Sequence, residues 1–243
     1  MRLDKYMVSC GVASRRETAA AVRRGEITVN GIPVRSADVQ IDESCDTVVF
    51  CGETLCYRPY VWLMMNKPQG VISATEDRDG QKTVLDLLPE RFRRMGLFPC
   101  GRLDSDTTGL LLLTNDGQLA HLLLSPKRHV EKLYRYTSKR RISEEEVARA
   151  AQRLTLADGY ECLPAVIVPD AEGCGGTVLL REGKYHQIKR MFGALDNRIL
   201  TLRRVGFAGL TLPADLAEGA WRELAETEVE HLRQCVVVNI DKM

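Results

Sequence analysis

From Val61 onward the chain is cut into short apolar runs, each closed by turn residues: VWLMMNKPQG (61–70), LLLLTNDG (110–117), TVLLREG (177–183), RILTLRRVGFAGLTL (198–212) and QCVVVNI (234–240). Runs of this length suit strands, and none approaches the roughly 18 apolar residues of a membrane span. Apolar residues at helical spacing over 84–94, 117–125, 143–153 and 186–195 predict helices between them. No fixed-period repeat interrupts the pattern. Short strands with few helices predict an α+β domain over 61–243, its mixed sheet mainly antiparallel and flanked by helices.

The first 56 residues read as a separate, smaller module. Ser14 and Glu17 form an S-x-x-E capping box that opens a helix running to about Arg24, and Gly25 ends it. Ile27-Thr28-Val29 and Ile32-Pro33-Val34 flank Asn30-Gly31, a tight-hairpin signal. GETLCYRPY (52–60) reads as the linker, with 57–60 as the stretch between the two domains.

Lys and Arg number 34 against 33 Asp and Glu, and the net charge of +1 excludes a uniformly basic coat. Segregation is another matter. Residues 1–37 carry Arg2, Lys5, Arg15, Arg16, Arg23, Arg24 and Arg35 against Asp4, Glu17 and Glu26; residues 38–58 carry five acidic side chains against Arg58 alone. A row of guanidinium groups beside a hairpin fits phosphate contacts, and it equally fits a solvated charged face.

With 44% hydrophobic and 28% charged residues the chain is of the soluble globular class. The charged start MRLDKYMVSCGVASRRE lacks the apolar core of an export signal, so the eight cysteines are expected as thiols in a reducing cytoplasm. No C-x-x-C pair occurs, and no metal site is expected.

Two segments concentrate chemistry. Gly101-Arg102-Leu103-Asp104-Ser105-Asp106-Thr107-Thr108-Gly109 places two carboxylates, hydroxyls and an arginine just before a buried strand. Paired carboxylates serve acid–base work or magnesium, and the same residues also make ordinary turns. In GKYHQIKRMF (183–192), Ile188, Met191, Phe192 and Leu195 define a buried helix face, leaving Lys189 and Arg190 on another sector. A cation there can keep a carboxylate ionised, or simply be solvated.

Taken together, N-K-P-x-G at 66–70, G-R-L-D-x-D-T-T-G-L at 101–110, E-K-x-Y at 131–134 and G-K-Y-H-Q-I-K-R-M-F at 183–192 resemble the RsuA-type pseudouridine synthases, in the right order along nearly the whole chain. R-L-D-K-Y, G-V-A-S-R-R-E and R-R-G-E-I-T-V-N-G resemble the S-four-type RNA-binding domain over about residues 1–50. The resemblance implies the pseudouridine synthase fold and isomerisation of a ribosomal RNA uridine without cofactor. It implies Asp104 as the catalytic aspartate, Lys189 as its basic partner and Tyr134 as the ring that stacks on uracil. Arg102 is implied as the residue filling the space of a flipped uridine, with Leu103 lining the pocket and Lys67 and Pro68 supporting the site. It gives Asp106 the ordering of the loop, and His186 and Gln187 the shaping of the turn before Lys189; Tyr185 reads as core or pocket. Arg2, Lys5, Arg15, Arg16, Arg23 and Arg24 are the expected RNA contacts.

The expected partner is ribosomal RNA or a ribosomal subunit assembly intermediate, with no membrane and with the chain a monomer. Its compactness favours small-subunit RNA over large-subunit RNA. Two other readings compete: a non-catalytic RNA-binding assembly factor, and a magnesium-dependent nuclease using Asp104 and Asp106.

Overall fold

The computed structural model describes residues 1–238, in two compact units. The first comprises 1–61 together with 85–98. It holds α1 (Leu3–Ser9), α2 (Arg15–Arg23), β1 (Ile27–Val29), β2 (Ile32–Pro33), β3 (Val48–Phe50), β4 (Glu53–Thr54) and α3 (Glu90–Arg94). The strands form one sheet in the order β2-β1-β3-β4. Leu3, Tyr6 and Met7 of α1, Ala21 and Val22 of α2, Ile27 and Val48 make its core.

The capping box closes in both directions: Glu17 N donates to Ser14 Oγ at 3.2 Å, and Ser14 N to Glu17 Oε2 at 2.7 Å. Asn30 and Gly31 both have left-handed φ values of 53° and 77°, as a two-residue hairpin turn needs, and Val29 pairs with Ile32. The segment expected as linker is largely structured. Glu53 and Thr54 pair with β3, Leu55 packs on the core, and Tyr57 stacks on Tyr6 with ring centroids 5.4 Å apart. Its short strand carries no alternation that the sequence could reveal.

The helix predicted over 84–94 is divided at Pro89, which cannot donate to a continuous helix, into a 3-10 turn at Val84–Leu87 and α3. Residues 85–98 group with the first unit, where Arg94 pairs with Glu17 at 2.9 Å.

The second unit comprises 62–84 and the chain from 99. Its strands are β5 (Trp62–Lys67), β6 (Phe98–Cys100), β7 (Thr108–Thr114), β8 (Lys132–Ser138), β9 (Val166–Pro169), β10 (Gly175–Leu180), β11 (Ile199–Phe207), β12 (Leu210–Thr211) and β13 (Trp221–Glu223). They form a nine-stranded sheet ordered β13-β5-β7-β11-β8-β10-β9, with β6 on β7 and β12 on β11. Only β7 and β11 run parallel along that path; the other neighbours are antiparallel. Helices α4 (Gly117–Leu124), α5 (Glu144–Ala150), α6 (Gln187–Ala194) and α7 (Glu226–Val238) complete a mixed α+β architecture. At the parallel seam Gly109 takes φ 102°, and a Cβ there would lie 2.1 Å from the Arg204 carbonyl oxygen.

One predicted strand is a helix. Gln234 to Val238 of QCVVVNI continue α7, in which Leu232 and Val236 are buried one turn apart; Asn239 and Ile240 lie outside the described residues. Among the described residues no helix is long and apolar enough to cross a membrane.

Candidate active site

The loop between β6 and β7 carries Arg102 to Thr107, and N-K-P-x-G is the platform beneath it. Lys67 ends β5 fully buried, and its Nζ donates to the carbonyl oxygens of Pro68 (3.0 Å), Ser105 (3.4 Å) and Thr107 (3.0 Å). Gly70 N donates to Ser105 O at 2.7 Å. Ser73 Oγ donates to Leu103 O at 3.0 Å and accepts from Leu103 N at 3.1 Å. Burial pushes the Lys67 ammonium down to about 8, although Asp106 and Asp104 pull it back in part. Lys67, grouped in the sequence reading with the pocket residues Arg102 and Leu103 and read there as support for the site, is absent from the cavity lining and holds the loop backbone instead.

Helix α6 brings the other half. Lys189 Nζ donates to Asp104 Oδ2 at 2.9 Å and to Asp106 Oδ1 at 2.6 Å. Desolvation lowers the Lys189 pKa, but the bonds from Asp106 and Asp104 outweigh it and the net shift is upward. The Lys189 bond holds Asp106 below the usual carboxylate range. Asp106 thus shares the lysine with Asp104, a role beyond ordering its own loop.

His186 precedes α6 with φ 48°, and its Nε2 lies 3.4 Å from Asp104 Oδ1. It therefore meets the aspartate as well as shaping the turn. Gln187 does shape that turn: its Oε1 accepts from Lys184 N at 2.9 Å, and its Nε2 donates to Glu182. Tyr185 is 72% exposed and stacks on His186 with centroids 3.8 Å apart, which makes it rim rather than core.

These groups open onto a cavity of about 570 Å³, within the range of small-molecule sites. Arg102, Leu103 and Asp104 form one wall, Tyr134 from β8 another, and the Glu182–Lys189 segment a third. Leu103 and Tyr134 are buried, whereas Arg102 is exposed. Lys132 and Arg204, which sequence reasoning left without a role, also line it. Both stand in segments that carry the resemblance, Lys132 in E-K-x-Y and Arg204 at the head of the closing segment Arg204-Val205-Gly206, but neither segment assigns them a role.

On the first unit the six basic residues differ in freedom. Arg2 is bonded to Asp4 and Arg24 to Glu26, at 2.8 and 2.6 Å. Lys5, Arg15, Arg16 and Arg23 are exposed, and among the described residues they form no ion pair.

A family model described as RNA pseudouridylate synthase matches residues 61–167, and one described as S4 domain matches residues 1–48. Over 237 residues the chain is 44% identical to an uncharacterized RNA pseudouridine synthase of Bacillus subtilis, covering 96% of this chain and 99% of that one. It is 36% identical over 230 residues to ribosomal small subunit pseudouridine synthase A of Escherichia coli, covering 94% and 98%. A crystal structure of a pseudouridylate synthase, 34% identical and covering 96% and 99% of the two chains, superposes with a TM-score of 0.67. An S4 domain ahead of this catalytic sheet defines an RNA-modifying isomerase. The chain belongs to the RsuA-type RNA pseudouridine synthases.

Proposed function

We propose that this protein isomerises one uridine of ribosomal RNA, with small-subunit (16S) RNA favoured over large-subunit (23S) RNA. The observation that carries the reading is Asp104, set in a nucleotide-sized cavity and bonded to Lys189, with Tyr134 on an adjoining wall. Near-full-length similarity to a small-subunit enzyme supports the choice of RNA.

The uridine C1′–N1 bond breaks, the uracil turns, and C5 joins C1′; substrate and product contain the same atoms, so the reaction consumes no cofactor. The Asp104 carboxylate attacks C1′, attacks C6, or takes the C2′ proton. The Tyr134 ring stacks on uracil, and Leu103 supplies apolar wall. A base inside a stem must first flip out, at a cost of a few kcal/mol. Arg102, exposed at the cavity wall, fills the gap by stacking and phosphate pairing. The N-terminal domain holds structured RNA through Arg15, Arg16 and Arg23, and the setting is a cytoplasmic ribosomal assembly intermediate bound by a monomer.

Ribosomal RNA carrying tritium at uridine C5 tests this. The protein should release tritium with the chain left intact, and Asp104→Ala should abolish the release. Mapping pseudouridines in both ribosomal RNAs with and without the protein identifies the site. No release from any ribosomal RNA or subunit particle would leave the non-catalytic assembly factor; chelator-sensitive strand cleavage would point to the nuclease.

A further inference from the structure

Among the described residues, two cations on the cavity wall are paired with no carboxylate. Arg204, on β11, is 2% exposed. Its Nε donates to Leu110 O at 2.7 Å, while its Nη2 is buried without a partner. Lys132, on β8, donates from Nζ only to its neighbour's carbonyl, Val130 O, at 2.8 Å. Both stand over the Phe207 ring, the Arg204 guanidinium 5.0 Å and the Lys132 ammonium 5.7 Å from its centroid. Among the described residues neither forms an ion pair.

The acid nearest to hand, Glu182, is already engaged: it accepts from Tyr160 Oη, Leu163 N and Gln187 Nε2. Two cations close enough to perturb each other, with a ring quadrupole in place of a carboxylate, are costly to bury. Such an arrangement suits a ligand that brings negative charge.

The reaction generates that charge inside the cavity. When C1′–N1 breaks, its electron pair stays on N1 and spreads to O2 and O4 of the detached uracil. When Asp104 instead adds to C6, the electron pair of the C5–C6 bond moves onto C5 and O4. On either route the ring becomes anionic before C5 bonds to C1′, and the pair returns as that bond forms. Arg204 is almost wholly buried at the cavity wall, so the group that meets it is one carried into the cavity, and in the reading above that group is the base.

We propose that Lys132 and Arg204 form the receptor that stabilises the uracil anion while it turns beside Tyr134. Lys132 and Tyr134 are two residues apart on β8 and so share a face, and Arg204 pairs with Tyr134 in the sheet register. Uracil stacked on Tyr134 therefore presents its oxygens to both cations. Preorganised charge aimed at a developing anion acts on kcat rather than on RNA affinity.

Lys132 must carry its proton to do this. Burial, and then Arg204, lower its pKa to about 8; Cys100 of β6 and Glu182 after β10 act weakly the other way. Burial pushes the Cys100 thiol itself up to about 12, so that group stays neutral. The protonated fraction of Lys132, and activity with it, should accordingly fall as pH rises through about 8.

The inference rests on uracil occupying this cavity, and its test has two arms. In the first, tritium release by full-length Lys132→Met should show kcat lowered about 10²-fold or more, with KM for RNA within threefold. Lys132→Arg should recover most of kcat. In the second, uracil and barbiturate, a planar uracil-like anion, compete with RNA. Barbiturate should displace bound RNA from the wild type at least about tenfold better than uracil, and that preference should vanish in Lys132→Met. Arg204→Met should lose it too, although its bond to Leu110 makes folding of that variant less assured, and so Lys132 carries the decision.

Two results overturn the proposal: unchanged kcat in Lys132→Met, or a wild type that binds barbiturate no better than uracil. Absence of tritium release by the wild type would instead defeat the reading of the reaction, while the barbiturate comparison would still report on the cation pair.

Discussion

Two lysines reach the same loop and behave oppositely. Lys67 meets carbonyl oxygens in a fully buried site, so burial wins and its pKa falls to about 8; Lys189 meets two carboxylates, and its pKa rises. Lys67→Met should remove the donor shared by three carbonyls, lowering kcat more than stability, because a buried cation replaced by an apolar side chain of similar length also sheds a desolvation cost. The linkage has a definite sign. The folded state releases the Lys67 proton near pH 8 and the unfolded state near 10.5, so the wild type gains stability over Lys67→Met as pH rises between these values, by up to about 3 kcal/mol. Denaturant unfolding of both proteins at pH 7, 9 and 10.5 measures it; a constant difference would place the proton elsewhere. Asp106→Asn leaves the Asp104–Lys189 bond in place and should cost about tenfold in kcat, whereas Asp104→Asn should cost more than about 10³-fold. Equal losses would give the two carboxylates one shared role.

Individual elements were legible where the signal is local. The Ser14–Glu17 box and the Asn30-Gly31 turn depend on residues three or fewer apart, and both are formed as read. Ser14→Ala should remove one cap bond and cost about 1 kcal/mol, seen as a lower midpoint for the first unit. No change in that midpoint would mean that α2 is held by its packing alone. Strands β8 and β13 escaped because their apolar residues alternate or are few, and β9 because its apolar run, Val166–Pro169, is only four residues long: in KLYRYTS the buried residues are Tyr134, Tyr136 and Ser138. QCVVVNI misled in the other direction, since a β-branched run looks like a strand until the window is widened to Leu232 and the helical period appears. The site divides likewise. The motifs name Asp104, Tyr134 and Lys189, with Lys67 as support, but the carbonyls that Lys67 clamps, the carboxylate that shares Lys189, the His186 contact and the unpartnered Nη2 of Arg204 are products of long-range packing. Lys189 and Asp104 are 85 residues apart, and no spacing rule joins them.

At the scale of the whole molecule, net charge is the least informative number and its distribution the most. The +1 balance conceals a basic first half of the N-terminal domain and, in the catalytic unit, cations gathered around one cavity. The structure also narrows which cations are available to RNA. Arg2 and Arg24 are tied to Asp4 and Glu26, and a phosphate would have to compete with those carboxylates. Among the described residues Arg15, Arg16 and Arg23 have no such rival. Replacing these three by Ala in the full chain should therefore lower the magnitude of the slope of log affinity against log salt by about 2 to 3, since each phosphate contact releases most of one counterion. Arg2→Ala and Arg24→Ala together should change the slope less. Because all five belong to the first unit and Asp104 to the second, kcat at saturating RNA should stay near wild type while KM rises. Truncating the domain is the weaker experiment: residues 85–98 group with it, and deletion would strip α3 of the Glu17 pairing of Arg94. Filter-binding titrations from 50 to 300 mM salt decide the matter. A triple variant that loses affinity with an unchanged slope would mean that these arginines support the RNA by shape or packing, and that the phosphate contacts lie elsewhere on the chain.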